Sequence, residues 1–169
     1  HLLQAAALAR MREANQLGHG RHVAILLRHP SDFLAAFAAL DEIKKATSKP
    51  IKYVFNTHPH SDHTGGLPPL VAEGATIVTS ANNKVFFERA LNTPRTLVGD
   101  TLAKNPKKAK VEAVAEKKVY SDGTRTVEIY HTWPVPHTNG MLIAYIPKEK
   151  IMFQGDFSLV DMQTSEILS

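Results

Sequence analysis

The chain contains no cysteine among its 169 residues. It therefore cannot form a disulfide framework, a cysteine-ligated zinc finger or an iron–sulfur site, and His, Asp or Glu must hold any metal. It also lacks any apolar run approaching the roughly 20 residues that a membrane helix needs. We therefore expect a soluble protein with no membrane span. Cytoplasm and periplasm both stay open, because a cysteine-free chain suits either redox environment.

Charge of either sign is also modest, with 21% charged residues and a formal net charge of +4. We expect most of the positive excess to be solvated lysine, because surfaces that bind nucleic acid usually carry denser clusters. Hydrophobic residues make up 43% of the chain, as is typical of a soluble globular domain. The length predicts one domain over residues 1–169.

Helix-forming and strand-forming segments alternate early in the chain, and strand hairpins dominate later. Apolar periodicity and end signals predict helices over residues 2–17, 31–45, 68–72 and 82–91. They predict strands over residues 22–27, 51–55, 75–79, 111–114, 117–120, 126–131, 141–146 and 151–154. Residues 56–66 and 95–110 are predicted to be irregular. This mixture favours an α+β fold in which helices cover sheets.

One short run carries most of the chemistry: His58, His60, Asp62 and His63 follow directly on a predicted buried strand. In an extended segment, His58 and His60 point the same way, because side chains alternate with period two. A turn after them would let Asp62 and His63 face a second ion. The run therefore predicts a metal site, and two glycines that follow it allow the backbone to bend.

Two further ligands are expected from later loops. His137 lies between two predicted strands, and Asp156 follows a predicted apolar strand. Imidazole nitrogen and carboxylate oxygen suit zinc, and also iron or manganese. One or two such ions would lower the pKa of a water to about 7 and so supply a nucleophile at neutral pH.

These residues resemble the motifs of the metallo-β-lactamase superfamily. The resemblance lies in HPHSDHTGG at residues 58–66, PHTNG at 136–140 and GD at 155–156. Segments 79–91, 104–114 and 145–151 look most like bacterial metal-dependent hydrolases of unassigned substrate. The resemblance implies a four-layer αββα sandwich with the site at one edge, between the sheets.

The resemblance also implies a role for each candidate ligand. His58, His60 and His137 would hold a first ion, and Asp62 and His63 would belong to a second. Asp156 would bridge the two ions or bind the second. Asp62 would in addition orient the attacking water or take a proton from it.

The chain departs from the family pattern near both ends. The family has an Asp after an early strand, where this chain has Arg28, His29 and Pro30, and residues 1–30 do not resemble the family. A last family histidine has no counterpart, because no His follows His137. We therefore expect an incomplete sandwich, a second metal site short of one ligand, and an unpaired sheet edge that favours self-association.

Three functions compete. The first is a hydrolase acting on a small ester, lactone, lactam, thioester or phosphodiester through a water activated by metal. The second is a metal-binding family member with little or no catalysis. The third is a nuclease, suggested by a lysine-rich stretch that starts at Lys104; it lacks interleaved aromatics and is better explained as a solvated face. We expect Trp133 to cover apolar surface at a strand end rather than to touch substrate.

Overall fold

The computed structural model describes residues 24–26, 40–41, 43–97, 99–156, 159–160 and 167–168. The predicted helix over residues 2–17 lies outside the described residues, as does most of the one over 31–45. Of that second helix, the described residues 40–41 and 43–46 are helical. Within the described part of the chain, no helix is both long and apolar enough to cross a bilayer.

The described strands follow the predicted ones closely. They are β1 (Ala24–Leu26), β2 (Tyr53–Phe55), β3 (Thr76–Ser80), β4 (Lys110–Val114), β5 (Lys117–Ser121), β6 (Thr126–Thr132), β7 (Met141–Ile146), β8 (Ile151–Phe153), β9 (Leu159–Val160) and β10 (Ile167–Leu168). The described helices are α1 (Ser61–Thr64), α2 (Leu67–Glu73), α3 (Lys84–Asn92) and α4 (Thr101–Lys104), with a 3₁₀ turn at Ala81–Asn83 before α3.

The strands form two four-stranded sheets. In the first sheet, β1, β2, β3 and β4 lie side by side in that order, and every neighbouring pair is parallel. In the second, β5 to β8 follow one another as an antiparallel meander. The predicted hairpins are therefore confirmed. The short strands β9 and β10, which the sequence did not predict, pair with each other.

Two apolar clusters separate the layers. One contains Val54 and Ile77 of the first sheet together with Leu70 and Phe87 of the helices. The other lies between the two sheets, where Phe55 and its neighbours meet buried side chains of β6 and β7. Consecutive strand residues thus enter different clusters, as the period-two alternation requires. The described layers run helix, sheet, sheet, in agreement with the expected sandwich.

Two helices lie in segments predicted to be irregular. Helix α4 begins after Asp100, whose carboxylate accepts a hydrogen bond from the Ala103 N–H at 2.8 Å. Asp is a favourable N-cap residue, so Asp100 is itself a sequence signal for the start of this helix. Helix α1 is a single turn inside the histidine run, with the His63 N–H donating to the His60 carbonyl at 3.0 Å. It is too short to leave a periodic apolar pattern.

Candidate metal centre

The centre is built on the chain that leaves the carboxyl end of β2. The Asn56 N–H donates to the Val78 carbonyl of β3 at 2.9 Å, and the Leu142 N–H of β7 donates to the Thr57 carbonyl at 2.8 Å. This two-residue segment is therefore fastened to both sheets. Because its backbone is fixed on both sides, the side chain of His58 is aimed from a rigid base.

A first ligand group gathers around the buried ring of His58. Its Nε2 atom lies 3.1 Å from His60 Nδ1 and 3.3 Å from His137 Nε2. The same atom lies 3.6 Å from Asp156 Oδ2. The ligand atoms of these four residues all lie within 4.8 Å of one another.

A second group lies beside the first and consists of Asp62, His63 and Asp156. His63 Nε2 lies 3.4 Å from Asp62 Oδ2 and 3.2 Å from Asp156 Oδ2. Helix α1 makes this possible, because its single turn swings Asp62 and His63 away from His60. Asn56 fixes the turn by donating from Nδ2 to the His63 carbonyl at 2.8 Å.

The spacing and chemistry of these atoms fit a divalent ion. Four ligands placed at about 2.0–2.1 Å around a tetrahedral zinc are separated from one another by roughly 3.3 Å. The nitrogen–nitrogen distances from His58 are 3.1 and 3.3 Å, and Asp156 Oδ2 lies 3.3 Å from His137 Nε2. The donors are imidazole nitrogens and a carboxylate oxygen, and their separations are close to those that ligands of one divalent ion adopt.

The electrostatics favour the protonation states that ligands need. Burial lowers the pKa of His58 from 6.5 to about 4, the neighbouring His63 adds to this effect, and Asp156 opposes it. Burial alone would raise the pKa of the Asp156 carboxyl. The nearby His63, His58 and His137 outweigh burial and hold that pKa below its ordinary value. At neutral pH, His58 is therefore neutral and Asp156 is ionised, as metal ligation requires.

A buried hydroxyl and a glycine support the ligands from behind. Thr57 Oγ1 lies 3.1 Å from His58 Nδ1 and 3.4 Å from His63 Nδ1. A Cβ atom added to Gly155 would lie 2.8 Å from that oxygen and 3.3 Å from His58 Nδ1. Only glycine therefore lets the chain that follows β8 and carries Asp156 approach this closely.

The loop that carries His137 is anchored at its far end. Asn83 is buried and donates from Nδ2 to the Gly140 carbonyl at 2.9 Å. Gly140 has a φ of +93°, and a Cβ there would lie 2.5 Å from His131 Nε2. Asn83 follows β3 and Thr57 follows β2, so the carboxyl ends of neighbouring parallel strands hold both halves of the centre.

Trp133 does not occupy the position that we expected. Its side chain is 62% exposed, and its indole N–H donates to Asn139 Oδ1 at 3.1 Å. Trp133 does follow the end of β6, as expected, but the expectation that it packs on apolar surface is wrong. The indole hydrogen bond, which neighbours the His137 loop, holds the ring at the surface.

All six residues predicted as ligands come together in these two groups. Sequence reasoning missed the residues behind them, namely Asn56, Thr57, Asn83 and Gly155. A polar pair between a buried strand and the first ligand, at residues 56–57, was the available signal for two of these. Asn83 left no such signal, because its contact with Gly140 spans 57 positions.

Comparison with known proteins identifies the same architecture. The sequence model of the metallo-beta-lactamase superfamily matches residues 29–168. No curated protein sequence gives a significant match. Among solved structures, the metallo-beta-lactamase from Pontibacter korlensis is 21% identical, with a TM-score of 0.63 over 87% of this chain and 60% of that one.

Two further structures widen the range of similar proteins. Metallo-beta-lactamase IND-7 is 21% identical, with a TM-score of 0.61 over 86% of this chain and 59% of that one. The flavodiiron protein from Giardia intestinalis is 22% identical, with a TM-score of 0.53 over 79% of this chain and 29% of that one. At these identities the likeness establishes the fold. The chain spans about 60% of the length of the first two structures.

Proposed function

The chain belongs to the metallo-beta-lactamase superfamily, and from this premise we propose that it is a hydrolase that uses zinc to cleave a small molecule. The observation that carries the proposal is the pair of ligand groups that share Asp156. A carboxylate common to two adjoining sets of His and Asp could hold two ions close together, as two-ion hydrolytic sites do.

The ligand roles follow from the two groups. His58, His60 and His137 hold the first ion, Asp62 and His63 belong to the second, and Asp156 serves both. The second group has three members among the described residues and one of them is shared. We therefore expect the first ion to be held more tightly than the second.

Exposure gives the site a closed base and an open face. The side chains of His58 and His63 are fully buried, whereas those of His137 and Asp62 are 38% and 34% exposed. Substrate would therefore approach from the side of His137 and Asp62. This opening requires no movement of the buried base.

When bound, zinc would lower the pKa of a water toward about 7 and polarise the bond to be cleaved. The protein's own task is to place that water and move its proton. Asp62 is suited to this because its carboxylate belongs to the second group yet reaches solvent. It would accept a hydrogen bond from the water or take its proton.

The substrate class that we propose is an acyl compound, either an ester, lactone, lactam or thioester, with phosphodiesters as the alternative. Nucleic acid is a weaker candidate. The lysine-rich stretch that starts at Lys104 ends at Lys117 and Lys118, which pair with Glu128 at 3.1 Å and Glu112 at 3.0 Å. These pairs reduce the positive field that a polyanion would need. Turnover assays with an ester, a lactone, a lactam and a thioester would decide among the acyl substrates.

Zinc is our choice of metal because imidazole nitrogen and carboxylate oxygen are both good zinc ligands. Iron and manganese accept the same donors, and one similar structure is that of a flavodiiron protein. Metal content should be measured by mass spectrometry after separate loading with zinc, iron and manganese, followed by desalting. Retention of iron or manganese in preference to zinc would refute the choice of zinc.

The hydrolase proposal is tested by zinc stoichiometry and turnover together. We expect zinc retention and turnover of at least one acyl substrate, both removed by chelator and restored by zinc. His58→Ala should abolish both. The matched control is His131→Ala, a histidine outside both groups whose Nδ1 contacts the Ala115 carbonyl. Retention of zinc with no turnover on acyl or phosphodiester substrates would favour the alternative of a metal-binding protein without catalysis. The small size of the second ligand group, which has three members and shares one, would then explain the lack of turnover.

A further inference from the structure

The hydroxyl of Thr57 touches one imidazole from each ligand group. Thr57 Oγ1 lies 3.1 Å from His58 Nδ1, in the first group, and 3.4 Å from His63 Nδ1, in the second. Thr57 is only 4% exposed, and the two rings are fully buried.

The hydrogen-bond capacities of these groups restrict how they pair. A neutral imidazole carries one N–H and one lone pair, and a hydroxyl offers one O–H and two acceptor lone pairs. The ring atoms that meet the other ligands are His58 Nε2 and His63 Nε2. If both Nε2 atoms present lone pairs, both Nδ1 atoms must carry protons. One hydroxyl can then accept from both.

We propose that Thr57 is a positioning residue that accepts hydrogen bonds from the Nδ1–H groups of both His58 and His63, and so sets ring tautomer and orientation in the two ligand groups at once. The inference rests on the proposed metal site. A histidine ligand commonly donates its second N–H to an oxygen, and loss of that oxygen typically costs roughly 10–100-fold in metal affinity. Here one oxygen would serve two ligands, so both ions would be affected together.

The surroundings make this hydroxyl difficult to replace. The Thr57 carbonyl accepts from the Leu142 N–H, which fixes the residue between the sheets. Gly155 approaches so closely that an added Cβ would lie 2.8 Å from the hydroxyl oxygen. Without the hydroxyl, two buried N–H groups would lose their acceptor, and a water has little room to replace it.

The experiment compares Thr57→Val, which removes the hydroxyl but keeps the shape, with Thr57→Ser, which keeps the hydroxyl. Thr79→Val is the matched control, because Thr79 is fully buried and its hydroxyl has no hydrogen-bond partner. Zinc affinity is measured by competition with a chelator. The protonated nitrogen of each imidazole is identified by proton–nitrogen correlation NMR, in both metal-free and zinc-loaded protein.

We expect Thr57→Val to weaken the binding of both ions by roughly 10–100-fold, to shift the Nδ1 resonances of both rings and to speed exchange of their protons. Thr57→Ser should restore both properties, and Thr79→Val should change neither. Equal zinc affinity and unchanged resonances in Thr57→Val would overturn the inference, as would a change confined to one ring. If the wild-type chain retains no zinc, the proposed function fails, whereas the metal-free NMR comparison still decides whether Thr57 holds both rings.

Discussion

Asp156 Oδ2 lies 3.2 Å from His63 Nε2, although 93 positions separate the two residues in the chain. The same oxygen lies 3.3 Å from His137 Nε2. His63 comes from the turn after the parallel sheet, and Asp156 comes from the end of the antiparallel one. The centre therefore exists only when both sheets are packed together, so metal binding should depend on correct folding of the whole sandwich.

The shared position of Asp156 predicts different metal losses for different ligand substitutions. Asp156→Ala should weaken the binding of both ions, because it removes a carboxylate common to the two groups. His60→Ala should weaken the binding of the first ion and leave that of the second unchanged, because His60 belongs to one group only. Each loss should exceed the roughly 10–100-fold seen when a supporting partner is removed. Stepwise titration with a chelator measures the affinity for each ion. If the two variants lose affinity for the same ion or ions, Asp156 does not serve both groups.

Close packing behind the centre predicts that Gly155→Ala damages it without replacing a ligand. The new Cβ would lie 2.8 Å from Thr57 Oγ1 and 3.3 Å from His58 Nδ1, so one of these must shift. Such overpacking typically costs about 1–3 kcal/mol in the free energy of unfolding. We expect a loss of this size together with weaker zinc binding.

Gly99→Ala is the matched control, since its Cβ would meet only Lys104 Cε at an ordinary 3.9 Å. Chemical denaturation and chelator competition on both variants provide the comparison. Unaltered zinc affinity in Gly155→Ala would show that the ligands do not depend on this close approach.

Strong local patterns allowed most of the fold to be predicted. The branched residues of segments 75–79 and 126–131 indicate strands, and the structure places strands there. Helix α2 was predicted from Pro68 and Gly74, and Gly74 indeed ends it in a left-handed conformation with a φ of 94°. Single-turn helices such as α1 and α4 escaped prediction, because four residues are too few to show a helical period.

The ligands were predictable for a different reason from the residues that support them. His58 and His60 carry a metal-binding pattern in their residue types and their spacing, before any folding is considered. The support comes from contacts made by folding, such as that of Asn83 with the Gly140 carbonyl. An asparagine has many possible partners in a sequence and acquires this one only when the sheet that contains β3 packs against the sheet that contains β7.

The pKa of His58 predicts how acid affects the metal-free protein. Its pKa falls from 6.5 to about 4 on folding, chiefly through burial. As pH drops below 6.5, His58 becomes protonated in the unfolded chain, whereas in the folded chain it stays neutral until about pH 4. The free energy of unfolding should therefore decrease across this window. Asp156 affects stability at lower pH. Its pKa is below the ordinary 3.8, so its contribution to the free energy of unfolding is complete above that pH and is lost as pH falls below it.

Denaturation of metal-free protein at several pH values measures this slope, with His58→Gln as the comparison. The variant has no group titrating at position 58, so its stability should decline less between pH 6.5 and about 4. Identical slopes in the two proteins would contradict the assigned pKa of His58.

The loop that carries His137 offers the sharpest test, because two glycines share a backbone conformation but differ in surroundings. Gly140 has a φ of +93° and Gly123 a φ of +90°, a region that costs an L side chain roughly 1–2 kcal/mol. Both Ala variants should lose that amount. Gly140→Ala should lose more, and should weaken zinc binding through His137, because its Cβ would lie 2.5 Å from His131 Nε2 whereas Gly123 has nothing within 4 Å. Adding His131→Ala should recover part of the difference by removing the clash. Equal losses in the two single variants, or no recovery in the double variant, would mean that a clash with His131 does not account for the extra loss.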